Sequence, residues 1–85
     1  MKKCVLDCSA IANPEDFHDA LVETLVLPQW YGSNLDALYD CLGDIRERTH
    51  LVLKNWEHTL SFSNGFRLVL DEAENNNPHL FVTFQ

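Results

Sequence analysis

The chain has 85 residues, with 13 Asp and Glu against 6 Lys and Arg, a net charge of −7. That length predicts a single domain over residues 1–85, burying roughly 60–70% of the surface its unfolded form exposes, and an apolar content of 46% excludes a disordered chain. The negative field repels nucleic acid and anionic membranes and attracts basic partners, and the cations are too few for a nucleic-acid-binding patch.

Met1-Lys2-Lys3 could open a signal peptide, but the apolar run that follows ends at Asp7, short of the about 7–15 residues that secretion needs. No stretch approaches the about 18 apolar residues of a membrane span, so a cytoplasmic protein is expected. Cys4 to Leu6 reads as the first strand. Cys4, Cys8 and Cys41 make an odd count, which in the cytoplasm predicts free thiols. Placed in one strand, Cys4 and Cys8 would lie about 13 Å apart at about 3.3 Å per residue. That is too far for a disulfide or a shared zinc ion, so both read as small core residues.

The first helix announces itself through Asn13 as cap, Pro14 in the first turn, and Glu15 and Asp16 at the positive helix end. Phe17, Leu21 and Leu25 continue as an apolar stripe. Pro28 closes this region, and a loop follows through Gln29-Trp30-Tyr31-Gly32. Burying both loop aromatics is difficult, so Tyr31 is expected in the core and Trp30 at the surface. The second helix is predicted to start at a capping pair, Ser33 with Asp36, and to stop at Gly43. Leu35, Leu38, Tyr39 and Leu42 share one face. Leu51 to Lys54 reads as the second strand, Asn55 to about Leu60 as a short turn or helix, and Ser63 to Asn75 as the last helix, with Phe66, Val69, Leu70 and Ala73 inward. Asn75-Asn76-Asn77-Pro78 reads as a helix-ending turn, and Leu80 to Phe84 as the third strand. Strands alternating with helices predict an α/β fold with a parallel sheet and right-handed crossovers.

Asp36, Asp40 and Asp44 step along the exposed side of the second helix at i, i+4 and i+8. Like charges at that spacing destabilise a helix by about 0.2–0.5 kcal/mol per pair. Asp36 gains from the helix N-terminus, Asp40 sits mid-helix, and Asp44 lies near the unfavourable end. Local energetics therefore account for Asp36 and leave Asp40 without a reason, whereas a cationic partner accounts for both. Exposed aromatics beside carboxylates are typical interface anchors. Catalytic readings find little support: there is no glycine-rich phosphate loop, nucleophile elbow or paired-histidine motif. His18, His50, His58 and His79 are scattered and read as surface or internally satisfied histidines. Two carboxylates on one face could also hold magnesium or act as acid and base, which keeps a small metal-binding enzyme as a third reading.

The segment Leu27-Pro28-Gln29-Trp30-Tyr31-Gly32-Ser33-Asn34-Leu35-Asp36-Ala37-Leu38-Tyr39-Asp40-Cys41-Leu42 resembles the signature of the barstar family, inhibitors of the bacterial ribonuclease barnase. Leu51-Val52-Leu53 followed by Trp56, and Glu72-Ala73 counted from the C-terminus, resemble the family in the same way. The resemblance implies a three-stranded parallel sheet packed against about four helices. It also implies a one-to-one complex with a secreted, basic, barnase-like ribonuclease, formed by a monomer with no catalytic residue, metal or cofactor. In the family the aspartate at the position of Asp40 takes the place of a substrate phosphate, and that of Asp36 pairs with a basic residue nearby. Trp30, Gly32, Asn34, Leu35 and Tyr39 fall on further contact positions, and Glu72 on an acidic contact from the last helix. Trp30 stands where the family protein has Tyr, Tyr39 where it has Trp, and Asp44 where it has a contacting Trp. An immunity role against a different basic nuclease toxin is the alternative.

Overall fold

The computed structural model describes every residue except Gln29, so that one position of the expected loop lies outside the described residues. Strand β1 (Lys2–Asp7) is followed by a 3-10 turn (Cys8–Ala10) and helix α1 (Pro14–Leu25). Helix α2 (Leu35–Gly43) leads to β2 (Thr49–Lys54), a second 3-10 turn (Trp56–Thr59), α3 (Asn64–Asn76) and β3 (Leu80–Phe84). The sheet is parallel throughout, in the order β1-β2-β3. Among the described residues there are three α-helices, against the about four that the resemblance implied; the segment Asn55 to Leu60, expected as a short turn or helix, holds the second 3-10 turn, and Cys8 sits in the first one rather than in the strand.

Register explains which strand residues meet the helices. Cys4 faces Leu51 and Leu51 faces Val82, while Leu6 faces Leu53 and Leu53 faces Phe84. These residues share one pleat face and join the core with Phe17 and Leu21 of α1, Leu38 and Leu42 of α2, and Phe66, Leu70 and Ala73 of α3. The core has an aromatic centre: Phe17 stacks on Phe66 at 4.3 Å between centroids and meets the edge of Trp56 at 5.8 Å. Such pairs add about 0.5–1.5 kcal/mol each beyond the area they bury. All three cysteines are free and buried. Burial pushes the Cys8 thiol up to about 11, with the nearby Asp7 and Glu57 carboxylates adding to the shift.

The ends of the elements follow from side chains that satisfy open backbone groups. Asn13 Oδ1 accepts from the Asp16 amide at 2.8 Å, the cap read from sequence. At β1, Asp7 Oδ1 accepts from the Ser9 amide and from Asn55 Nδ2, both at 2.9 Å. Those bonds, the one from Asn55 first, hold the Asp7 carboxyl down at about 2. The start of α2 differs from expectation. Ser33 takes a left-handed φ of 52°, outside the extended range a cap uses, so the cap moves to Asn34, whose Oδ1 accepts from Ala37 N at 2.8 Å. Gly43 is the last residue of α2 instead of its stop, with a right-handed Asp44 after it.

The Asn-rich turn does more than end α3. Asn77 is only 4% exposed. Its Nδ2 donates to the carbonyls of Leu42 (2.8 Å) and Ile45 (3.1 Å), and its Oδ1 accepts from the His79 amide. One side chain thus meets carbonyls at and just beyond the end of α2 and orders the entry to β3. Asn77→Ala should lower stability by about 1–3 kcal/mol, because a buried acceptor is left unpaired; urea melts of wild type and variant measure it, and an unchanged midpoint would show that water replaces the amide.

Candidate functional site

Helices α2 and α3 pack side by side and leave an open groove of about 420 Å³, lined by Leu35, Asp36, Tyr39, Asp40, Val69 and Glu72. The periodicity of each helix builds it. Leu38 and Leu42 face the core, which turns Asp36 and Asp40 outward on the neighbouring face. On α3, Phe66, Leu70 and Ala73 face the core, which puts Val69 and Glu72 on the flank towards α2. The two helices approach closely where they begin: a Cβ at Gly65 would lie 2.7 Å from Leu35 Cδ1, so the Leu35 side chain occupies the space that this glycine leaves.

The groove is negatively charged without internal compensation. Among the described residues the ion pairs are His58–Glu57 at 4.0 Å and Arg67–Asp71 at 3.1 Å, and neither touches Asp36, Asp40, Asp44 or Glu72. All four of those carboxylates are solvent-exposed. The arrangement can therefore accept several hydrogen bonds from a cationic group. Among the described residues no set of three His, Cys, Asp or Glu side chains is gathered closely enough to hold a metal ion. No helix among them is long and apolar enough to cross a membrane.

The structure places each sequence-derived site residue as follows. Leu35, Asp36, Tyr39, Asp40 and Glu72 come together in the groove. Asp44 is exposed at the end of α2 and does not line it. Trp30 and Gly32 are exposed in the loop before α2, with Trp30 at 62%. Asn34 spends its side chain locally, capping α2 and donating from Nδ2 to the Gly32 carbonyl at 3.4 Å. Cys41 turns inward at 5% exposure. Burial, then the nearby Asp44 and Asp40 carboxylates, pushes its thiol up, which keeps it protonated and unreactive.

Three residues of the site region escape a reading by motif. Val69, expected inward, is half-buried: it packs against the core and also lines the groove; its place one turn before Glu72 is the signal that could have found the second role. Asn76 Nδ2 donates to the Tyr39 hydroxyl at 2.8 Å, a pairing across 37 positions that no local pattern reveals. The third is His18. It is 7% exposed, Tyr31 is 8% exposed, and His18 Nδ1 is hydrogen-bonded to the Tyr31 hydroxyl. Tyr31 is the buried residue of the loop, as the sequence suggested, so this bond anchors the segment that carries Trp30 and Gly32.

Burial holds the His18 pKa below its ordinary 6.5, with Asp19 opposing the shift weakly. The unfolded chain then takes up a proton near pH 6.5 before the folded one does, so stability is present above that pH and is lost as pH falls through it. His18→Gln, neutral at every pH, should lose less stability between pH 7 and pH 5 than wild type. Denaturant melts at the two pH values measure the difference; equal slopes for the two proteins would contradict the buried neutral histidine.

The sequence profile of the family described as "Barstar (barnase inhibitor)" matches residues 1–84. A protein of Bacillus subtilis (strain 168), named "Putative ribonuclease inhibitor YrdF", is 46% identical over 67 residues, which is 78% of this chain and 69% of that protein.

Proposed function

The chain belongs to the barstar family, and on that premise we propose that it inhibits a secreted, basic, barnase-like ribonuclease by closing its active site in a one-to-one complex. The observation that carries this reading is the groove between α2 and α3, lined by carboxylates from two helices with no salt bridge to them among the described residues. A ribonuclease binds the phosphates of its substrate with Arg and Lys side chains, and the same side chains fit this groove. Asp40 takes the position of a phosphate and accepts charge-assisted hydrogen bonds, the strong class of such bonds. Asp36 and Glu72 pair with flanking cations, and Asp44 extends the acidic rim by one turn. Trp30 and Tyr39 supply aromatic anchors, and Gly32, Asn34 and Leu35 form the surface between them.

The chain's net charge of −7 supports the same reading from a distance. It steers a basic enzyme into encounter, so association slows as salt screens the field, with a Debye length of about 8 Å at physiological ionic strength. Such an inhibitor has no catalytic step and uses no metal or cofactor. It acts as a monomer in the cytoplasm, where it protects the producing cell from its own nuclease.

An RNA-cleavage assay with barnase tests this. An equimolar amount of wild-type protein should stop cleavage. Asp40→Ala should weaken inhibition most and Asp36→Ala less, while both stay folded because both side chains are exposed, and Asp40→Ala melts no lower than wild type because its repulsion with Asp36 is removed. Truncating one partner of a buried charge pair removes about 2–5 kcal/mol, a range to which the barnase–barstar complex itself contributes. Full inhibition by Asp40→Ala at the wild-type dissociation constant would overturn the site assignment.

A further inference from the structure

The hydrogen bond between Asn76 and Tyr39 links the two helices that flank the groove. Tyr39 stands in the middle of α2 and lines the groove beside Asp36 and Asp40. Asn76 is the last residue of α3, four positions after Glu72 and therefore one turn along the same flank. Its Nδ2 donates to the Tyr39 hydroxyl oxygen at 2.8 Å. The bond thus ties the helix that bears Asp36 and Asp40 to the helix that bears Glu72.

The chemistry of the hydroxyl adds a second consequence. A phenol offers one O–H donor besides its acceptor lone pairs. Here the oxygen accepts from Asn76, and among the described residues no group accepts the Tyr39 O–H. The other polar groups lining the groove are the carboxylates of Asp36, Asp40 and Glu72, which are acceptors only when ionised. The groove therefore presents a single side-chain donor among acceptors.

We propose that Asn76 is a positioning residue for recognition, holding Tyr39 across the groove so that its O–H donates to a carbonyl or carboxylate oxygen of the partner, next to the cations that meet Asp36, Asp40 and Glu72. The proposal rests on the inhibitor reading above and adds a selectivity to it. Cations alone would be satisfied by any cluster of carboxylates. A partner without an acceptor at this place leaves the phenol O–H desolvated and unpaired, and sites built around such a group discriminate against ligands that cannot meet it. Losing Asn76 frees the ring to rotate and returns the entropy of ordering it to the binding step.

Two measurements test this. In the free protein, Tyr39→Phe should shift the side-chain amide resonances of Asn76; resonances that do not move overturn the link between the helices. With barnase as the probe, Asn76→Ala and Tyr39→Phe should each weaken association about three- to tenfold, the range of one net hydrogen bond. The double variant should be no weaker than the worse single one, because both remove the same contact. A lowered melting temperature for Asn76→Ala with an unchanged dissociation constant marks a merely structural bond and overturns the positioning role, as do additive losses in the double variant. If wild type itself fails to bind barnase, the barnase-like inhibitor reading fails and takes the recognition role with it, while the Asn76 resonances still decide whether the link exists.

Discussion

The buried amide of Asn77 is the contact on which the rest of this surface depends. Helix α2 has nine residues, fewer than the about 12–15 an isolated helix needs to persist in water. Its stability comes from docking, and its two ends dock differently. At the start, Leu35 enters the space above Gly65. At the end, Asn77 donates to the carbonyls of Leu42 and Ile45, while Arg46 donates to the carbonyl of Gly43 at 3.0 Å. With both ends held, the outward direction of Asp36 and Asp40 is fixed by the inward direction of Leu38 and Leu42, and Glu72 is brought opposite them by the packing of α3.

That docking is set against an electrostatic cost that the described residues offset only in part. Asp36 and Asp40 repel each other one turn apart, and Asp44 sits at the negative end of the helix dipole. The Arg46 contact at the Gly43 carbonyl relieves part of this at the C-terminus. Elsewhere the chain places its cations differently: Arg67 pairs with Asp71 and lies over the Phe84 ring at 3.8 Å, on the flank of α3 towards β3. An uncompensated acidic groove beside a well-satisfied interior is what a surface made for a basic partner requires, since the attraction is realised only on binding. The loop before α2 follows the same division. Tyr31 is buried against His18, which leaves Trp30 outside.

Much of the fold was legible because its signals are local. Caps, proline positions and apolar spacing located α1 and α3, and short β-branched and aromatic runs separated by helices located three parallel strands. Where sequence reasoning missed, a nearby competitor or a distant partner decided. Asn34 displaced Ser33 as cap because Ser33 adopts a left-handed turn. The segment after β2, expected as a short turn or helix, is a 3-10 turn, and what the sequence did not show is that Trp56 N donates to the Gln85 carbonyl at 2.9 Å and ties it to the end of β3. The acidic face of α2 was legible from its period, including the oddity of Asp40. What could not be read was which helix lies opposite: the approach of Glu72 and Val69, and the work of Asn76 and Asn77, depend on contacts spanning more than thirty positions. A run of asparagines reads locally as a turn, and only tertiary structure shows that its members hold the groove together.

The most direct measurement of the central claim is an NMR titration of the isotope-labelled protein with barnase, following every backbone amide. The inhibitor reading predicts that the largest shifts fall on Trp30, Gly32, the Asp36–Asp40 face of α2 and the Glu72 flank of α3, with saturation at one equivalent. Shifts confined to the pocket lined by Trp56, Leu60 and Phe84, or no shifts at all, would contradict it.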